Sequence, residues 1–137
     1  MGTKVSAVLD FENTFKGQLH LREGHLNIGS EANEARPYDL LQGALVSCLH
    51  STFLDILEKK RLSIAFAHYE VEGEKREEIP TTLKSVTITV TLPAGQEEAL
   101  TKSMELAKKY CSVFSTLSNV AEMTLIINYK ALDFNNR

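Results

Sequence analysis

One long apolar segment constrains the fold of this chain more than any other feature of its sequence. Between positions 40 and 57, apolar residues recur in pairs four positions apart. This spacing is typical of an amphipathic helix, and Pro37 suits its first turn because the missing N–H would have no partner there. Val46 and Leu54 add apolar character to the opposite side. We therefore predict a central helix over residues 38–60 that is covered on most of its faces.

Shorter segments of alternating apolar and polar residues predict strands on both sides of this helix. The predicted strands are residues 4–11, 18–22, 25–28, 64–72, 83–92 and 122–130. The second and third strands surround Glu23-Gly24 and are expected to form a hairpin. A second helix is predicted over 96–117. Because this βββ-α-ββ-α-β order does not alternate strictly, we expect an α+β fold with antiparallel sheets.

The length of 137 residues predicts one domain, residues 1–137, with enough chain to bury a core. One small sheet is too little to cover a helix as apolar as the central one. We therefore predict an intertwined homodimer in which the sheets of two copies enclose the helices.

Composition argues against several classes of protein. The net charge of −3 provides no basic surface for nucleic acid. The sequence has no run of roughly 18 apolar residues, so no membrane span is expected. The N-terminus lacks the apolar core of a signal peptide, and we therefore expect a cytoplasmic protein. The four histidines share no metal-ligand spacing, and neither a metal nor a cofactor is expected.

Two cysteines, Cys48 and Cys111, are the candidate reactive groups, and they lie 63 positions apart. A thiol pair in a reducing compartment suggests transient redox chemistry, whereas simple burial is the alternative because free cysteine is among the most buried residue types. The helical turn before Cys48 offers its thiol no side-chain hydrogen-bond donor, and a position in the middle of a helix gains nothing from the helix dipole. Activation must therefore come from elsewhere, with Arg36, Arg22 and Lys16 as candidates.

The residues before Cys111 allow two interpretations. Lys108 and Lys109 could favour a thiolate, or they could form the solvated face of the helix, and Tyr110 could be a core aromatic.

Asp39 suits the start of the first helix, where its carboxylate meets unpaired N–H groups. It precedes Cys48 by nine positions, roughly 180° around an ideal helix, whereas Tyr38 is better placed to approach the thiol. The histidines are expected on the surface or in strands rather than as bases. His50, for example, is turned about 160° from Cys48.

Two segments of the sequence resemble the cysteine motifs of the OsmC/Ohr family, osmotically inducible protein C and organic hydroperoxide resistance protein. Residues 36–48 (Arg-Pro-Tyr-Asp-Leu-Leu-Gln-Gly-Ala-Leu-Val-Ser-Cys) are similar to the first motif. Residues 108–117 are similar to the second, C-P-V-x-x-x-L, with a Y-C-S-V spelling that resembles a less characterised OsmC-like branch. The βββ-α-ββ-α-β order of that family also matches nearly the whole chain.

The resemblance implies a homodimer with its thiols near the dimer interface, and a thiol-dependent hydroperoxide reductase. Cys48 would attack the hydroperoxide, Cys111 would resolve the sulfenic acid as a disulfide, and a dithiol, such as a lipoylated protein, would reduce the pair. Asp39 would be the counterpart of the family's acid, and Arg36 and Arg22, with Lys16 as an outsider, are the candidates for the cation that assists the thiolate. Two departures stand out, because the positions of the usual glutamate and the usual proline hold Tyr38 and Ser112.

The sequence is also compatible with two other functions. The first is a redox-inactive OsmC-like dimer that binds an apolar small molecule near its helices. The second is a thioesterase, because a hot-dog fold also wraps a sheet around a central helix, although that fold has one main helix and this chain has two.

Overall fold

Two three-stranded sheets and three helices make up the part of the chain, residues 2–132, that the computed structural model describes. In chain order the elements are β1 (Leu9–Phe11), β2 (Lys16–His20), β3 (His25–Gly29), α1 (Pro37–Lys59), β4 (His68–Lys75), β5 (Leu83–Pro93), α2 (Glu97–Tyr110), α3 (Ser112–Ser118) and β6 (Glu122–Lys130). The predicted α+β class and the order of the elements are confirmed, with the second helix divided in two.

The chain forms two compact units, Met1–Gly43 and Ala44–Arg137. The first contains the sheet β1-β2-β3, in which both strand pairs are antiparallel. The predicted hairpin is confirmed, and Gly24 takes a positive φ of 79° in its turn. A side chain at Gly17 would collide with the Phe11 ring, so glycine permits the close approach of β1 to β2.

The first strand is shorter than its alternating sequence predicts. Only Leu9–Phe11 pairs with β2, whereas the prediction covered residues 4–11. One further hydrogen bond extends this pairing, from the His20 N–H to the Val8 carbonyl at 3.0 Å. β2 ends at His20, where the turn to β3 begins. Residues 2–7 therefore have no neighbouring strand in this sheet, and alternation alone could not reveal where β2 ends.

The second unit contains the sheet β4-β5-β6. The β4–β5 pair is antiparallel, but β6 lies parallel to β5, which the expectation of antiparallel sheets did not include. The physical reason is the connection: α2 and α3 form a crossover long enough to return the chain in the same direction. β4 begins at His68 and runs to Lys75, later than the predicted 64–72, because β5 pairs with it from Thr91 back to Leu83.

The core of the second unit is built from one stripe of α1, alternate residues of β5 and the buried face of α2 and α3. The α1 members lie four positions apart and are Leu45, Leu49, Phe53 and Leu57. The β5 members are Leu83, Val86, Ile88, Val90 and Leu92, and the helical face predicted around Cys111 is buried as expected, through Leu100, Met104, Ala107, Cys111 and Phe114.

Within the described chain, α1 is covered less completely than its sequence predicts. Its most apolar 18-residue window has a mean hydropathy of 1.4, yet only 22% of that window is buried, and Leu54 is 44% exposed. By length and composition alone this helix could cross a membrane, but the core helix of a soluble protein passes the same test. The predicted cover of this helix includes a partner copy, so it stays a prediction for the single chain.

Candidate functional site

A break in the second predicted helix creates the local structure around Cys111. Cys111 adopts an extended conformation, with φ −73° and ψ 116°, so that α2 ends at Tyr110 and α3 begins at Ser112. Its N–H still donates to the Ala107 carbonyl at 2.8 Å, while its sulfur accepts a hydrogen bond from the Phe114 N–H at 3.4 Å. The prediction of one helix over 96–117 is therefore wrong, because the Cys111 side chain satisfies an N–H that an unbroken helix would direct to Tyr110.

Cys48 lies at the start of the fourth turn of α1, is half-buried, and faces this break. Its Sγ is 3.8 Å from the Ser112 Oγ, and it also interacts with the Cys111 thiol and the main chain of Val113. Thr52, one turn further along, donates to the Cys48 carbonyl at 2.9 Å rather than to the sulfur. The structure thus brings together two free thiols that are 63 positions apart in the sequence.

The surroundings of Cys48 favour its thiolate. Burial by itself would raise the pKa of the Cys48 thiol. Hydrogen bonds from the Val113 backbone, the Cys111 thiol and both the side chain and backbone of Ser112 outweigh burial, and the net effect is a lowered pKa. Hydrogen bonds to a charged sulfur stabilise it directly, so these contacts favour the thiolate form of Cys48 over that of Cys111.

The surroundings of Cys111 favour its protonated form. The residue is 0% exposed, and burial raises the pKa of its thiol to about 11, with the neighbouring Cys48 sulfur acting in the same direction. Its S–H can therefore donate to the Cys48 sulfur. A thiol whose pKa is lowered beside a thiol whose pKa is raised is an arrangement that suits attack by the first and condensation with the second.

Arg36 and Asp39 form a two-pronged ion pair at the start of α1. Arg36 Nε donates to Asp39 Oδ2 at 2.9 Å, and its second guanidinium nitrogen donates to Oδ1 at 3.1 Å. The Arg36 backbone N–H also reaches Asp39 Oδ2 at 2.9 Å, which is the helix-start role expected of Asp39. The guanidinium beside it holds the pKa of the Asp39 carboxyl below its ordinary value.

The other cationic candidates have different partners or positions. Lys16 donates to Glu34 at 2.7 Å and to Glu31 at 3.2 Å, and these hydrogen bonds raise the pKa of its ammonium group. Arg22 lies in the exposed segment between β2 and β3.

The residues just before Cys111 form a solvated face of the helix and do not stabilise a thiolate at Cys111. Lys108 pairs with Glu105 at 3.1 Å, and the Lys109 ammonium lies 5.6 Å from the centre of the Tyr110 ring. Tyr110 is 64% exposed, so the interpretation of this tyrosine as a core aromatic is wrong. Because the pKa of the Cys111 thiol is raised, the two lysines do not provide the thiolate stabilisation that their sequence position suggested.

His50 belongs to a separate half-buried contact. Its Nδ1 is 2.9 Å from the Tyr69 hydroxyl, the two rings meet edge to face at 5.5 Å, and burial lowers the pKa of the imidazole. The other three histidines, His20, His25 and His68, lie on strands, and His20 contacts Asp10 at 2.7 Å. Across residues 2–132, no group of three His, Cys, Asp or Glu side chains is arranged to hold a metal ion.

Sequence reasoning missed the groups that face the Cys48 sulfur. It treated Ser112 only as a departure from a family motif, and it did not consider the main chain of Val113. No local pattern pointed to these contacts, because Ser112 and Val113 are more than 60 positions from Cys48 in the sequence.

Comparisons with known proteins agree with this fold. A family model described as OsmC-like protein matches residues 29–126. A comparison with curated proteins finds no match.

Solved structures resemble the chain over nearly its whole length. A hypothetical protein from Aquifex aeolicus VF5 has a TM-score of 0.82 at 22% identity, with 97% of this chain and 100% of that chain covered. An OsmC-like protein from Mycoplasma pneumoniae has a TM-score of 0.80 at 14% identity, with coverages of 97% and 100%. An organic hydroperoxide resistance protein from Elizabethkingia anophelis has a TM-score of 0.73 at 12% identity, with coverages of 95% and 100%. At these identities the likeness establishes the fold alone.

Proposed function

Because this chain belongs to the OsmC-like protein family, we propose that it is a thiol-dependent peroxidase that reduces organic or small hydroperoxides. The observation that carries the proposal is the contact between two thiols with opposite preferences, a lowered pKa at Cys48 and a raised one at Cys111. Structural neighbours that are named organic hydroperoxide resistance proteins support the same class of substrate.

The first step is attack of the Cys48 thiolate on the terminal oxygen of ROOH. The S–O bond forms as the O–O bond breaks, Cys48 becomes a sulfenic acid, and the alkoxide leaves and takes up a proton to give ROH. The Cys111 thiol has a raised pKa and so still holds its proton at neutral pH. That proton is kept for the second step, so the leaving alkoxide takes its proton from the solvent.

The second step is condensation of the two cysteines. The Cys111 sulfur attacks the Cys48 sulfenic sulfur, an S–S bond forms, and the sulfenic oxygen leaves with the thiol proton as water. An external dithiol then exchanges with the disulfide, is itself oxidised, and restores both thiols. A lipoylated protein is a candidate reductant, and no bound cofactor is required.

Arg36 and Asp39 complete the proposed catalytic set with Cys48 and Cys111. The resemblance of residues 36–48 to the first family motif supports their inclusion. Their ion pair fixes the first turn of the helix that carries Cys48. We expect Arg36 and Asp39 to contribute less to the rate of peroxide reduction than the groups in contact with the Cys48 sulfur.

The same proposal includes a cytoplasmic homodimer built from single domains of residues 1–137. The family model crosses the boundary between the two compact units, which supports one family domain. The largely unburied apolar window of α1 supports cover by a second copy. Light scattering at micromolar concentration should report a dimer, and a monomer would contradict this part of the proposal.

A thiol titration before and after one equivalent of an organic hydroperoxide tests the activity. Rapid loss of both free thiols, with a Cys48–Cys111 disulfide in the peptide map, is the expected result. Thiols that react no faster than free cysteine would favour instead a redox-inactive dimer that binds an apolar small molecule, whereas acyl-CoA hydrolysis would favour the thioesterase.

A further inference from the structure

We propose that Ser112 is a functional residue of this site, whose hydroxyl donates a hydrogen bond to the Cys48 thiolate and sets the reactivity of that sulfur. The inference deepens the proposed peroxidase function and rests on it for its catalytic meaning. It concerns a side chain that the resemblance treats only as a departure from proline.

The geometry places the two groups in contact. Ser112 Oγ lies 3.8 Å from Cys48 Sγ, within the range of a hydrogen bond to sulfur, although it is a long one. The Cys111 thiol also interacts with this sulfur. Cys111 loses its proton and its free sulfur when the disulfide forms, whereas Ser112 is unchanged by the reaction, so it can serve the sulfur in every cycle.

The local structure fixes the position of the Ser112 hydroxyl. The extended conformation of Cys111 ends α2, and Ser112 is the first residue of α3. Two bonds hold this turn: the Ser115 N–H donates to the Cys111 carbonyl at 3.0 Å, and Thr116 Oγ1 donates to the Ser112 carbonyl at 2.9 Å. The hydroxyl is thus presented from a formed turn rather than from a free loop.

A hydroxyl suits both oxidation states of Cys48. It donates to a thiolate, and after oxidation it can rotate to accept a hydrogen bond from the sulfenic S–O–H group, because it has one donor and two acceptor positions. Ser112 can therefore retain the oxidised sulfur beside Cys111 without taking part in any covalent step.

Alkylation of Cys48 by iodoacetamide across a pH series tests the hydroxyl directly, with mass spectrometry of the peptides to separate Cys48 from Cys111. In Ser112→Ala the rate at pH 7 should fall by roughly three- to tenfold, the range expected for loss of one modest hydrogen bond to the sulfur. The rates should converge at alkaline pH, where the thiol ionises without help. Ser112→Thr retains a hydroxyl and should recover most of the rate.

Ser115→Ala is the matched control, because it removes a hydroxyl from the same short helix without touching the sulfur, and circular dichroism melts show whether each variant is folded. An unchanged profile in Ser112→Ala, or an equal change in Ser115→Ala, would overturn the inference. Consumption of cumene hydroperoxide is measured in parallel. If the native protein ignores this peroxide while Ser112→Ala still slows alkylation, the peroxidase proposal fails and the role of the hydroxyl stands.

Discussion

The two cysteines contact each other and yet lie in opposite surroundings. Cys48 sits within a regular helix and is half-buried, while Cys111 sits at a helix break and is fully buried. Burial raises the pKa of either thiol, so the difference comes from the groups that face each sulfur. Cys48 receives donors from Ser112, Val113 and Cys111, whereas Cys111 faces the developing charge of Cys48. Thiol reactivity here depends on contacts across the fold rather than on neighbours in the sequence.

The largest expected effect separates the cysteines by function. Cys48→Ser should abolish peroxide consumption, because no attacking sulfur remains. Cys111→Ser should allow one turnover and then stall as a sulfenic acid that is open to further oxidation. Mass spectrometry after one equivalent of hydroperoxide should find a sulfenic adduct on Cys48 in Cys111→Ser.

If both serine variants consumed peroxide equally slowly, at the rate of free cysteine, the proposed division of labour would be lost. A sulfenic adduct on Cys111 in Cys48→Ser would reverse the roles instead.

The next expected effect is a difference in pH dependence. The ordinary thiol pKa is 9.0, and that of Cys48 is lower, so its thiolate should persist as the pH falls below 9 and disappear only below its own pKa. Cys111 should stay unreactive until the pH approaches about 11. Alkylation rates from pH 5 to 11, resolved by peptide mass, check both directions.

The same alkylation series in concentrated urea is the control for this prediction. Both cysteines should then react alike, with a common midpoint near the ordinary value. Profiles that already coincide in the native protein would show that the fold does not distinguish the two thiols.

A smaller effect concerns the burial of Cys111. Met104 is fully buried on the same helical face as Cys111, so Met104→Ala should lower the free energy of unfolding by about 2–5 kcal/mol. Leu54→Ala, at a 44% exposed position of α1, is the matched control and should cost far less in a monomer. Denaturant titrations of both variants measure the difference.

Cys111 should also alkylate faster in Met104→Ala, since the cavity loosens the packing around it. Equal destabilisation by both substitutions would show instead that a second copy covers Leu54, and light scattering of Leu54→Glu would then test the dimer.

The smallest expected effect is at the ion pair of α1. Asp39→Asn keeps a side-chain oxygen for the Arg36 N–H but removes the charge, and the pair is exposed to solvent. We expect the peroxide rate to fall by at most roughly fivefold, because exposed ion pairs contribute little. Stopped-flow measurement of Cys48 oxidation checks this. A loss as large as that in Cys48→Ser would move Asp39 to the centre of the mechanism.

Much of the fold could be predicted because periodicity reports burial directly. The α1 spacing of four and the alternation of β5 and β6 gave elements within a few residues of the observed bounds. The pairing of the strands was harder to predict from the sequence. The extent of β1 depends on where β2 ends, and the parallel direction of β6 against β5 depends on the crossover. The division of α2 from α3 depends on one side chain, Cys111, which satisfies a main-chain N–H.

The sequence by itself determined the family, the α+β class and the two cysteines, because these follow from residue types and their spacing. Only the tertiary structure decided which groups meet the Cys48 sulfur. Ser112 is 64 positions from Cys48 in the chain and 3.8 Å from it in space, a contact that no local pattern encodes. The pKa of a thiol depends on hydrogen bonds and charges at such distances, so its activation is a property of the folded chain.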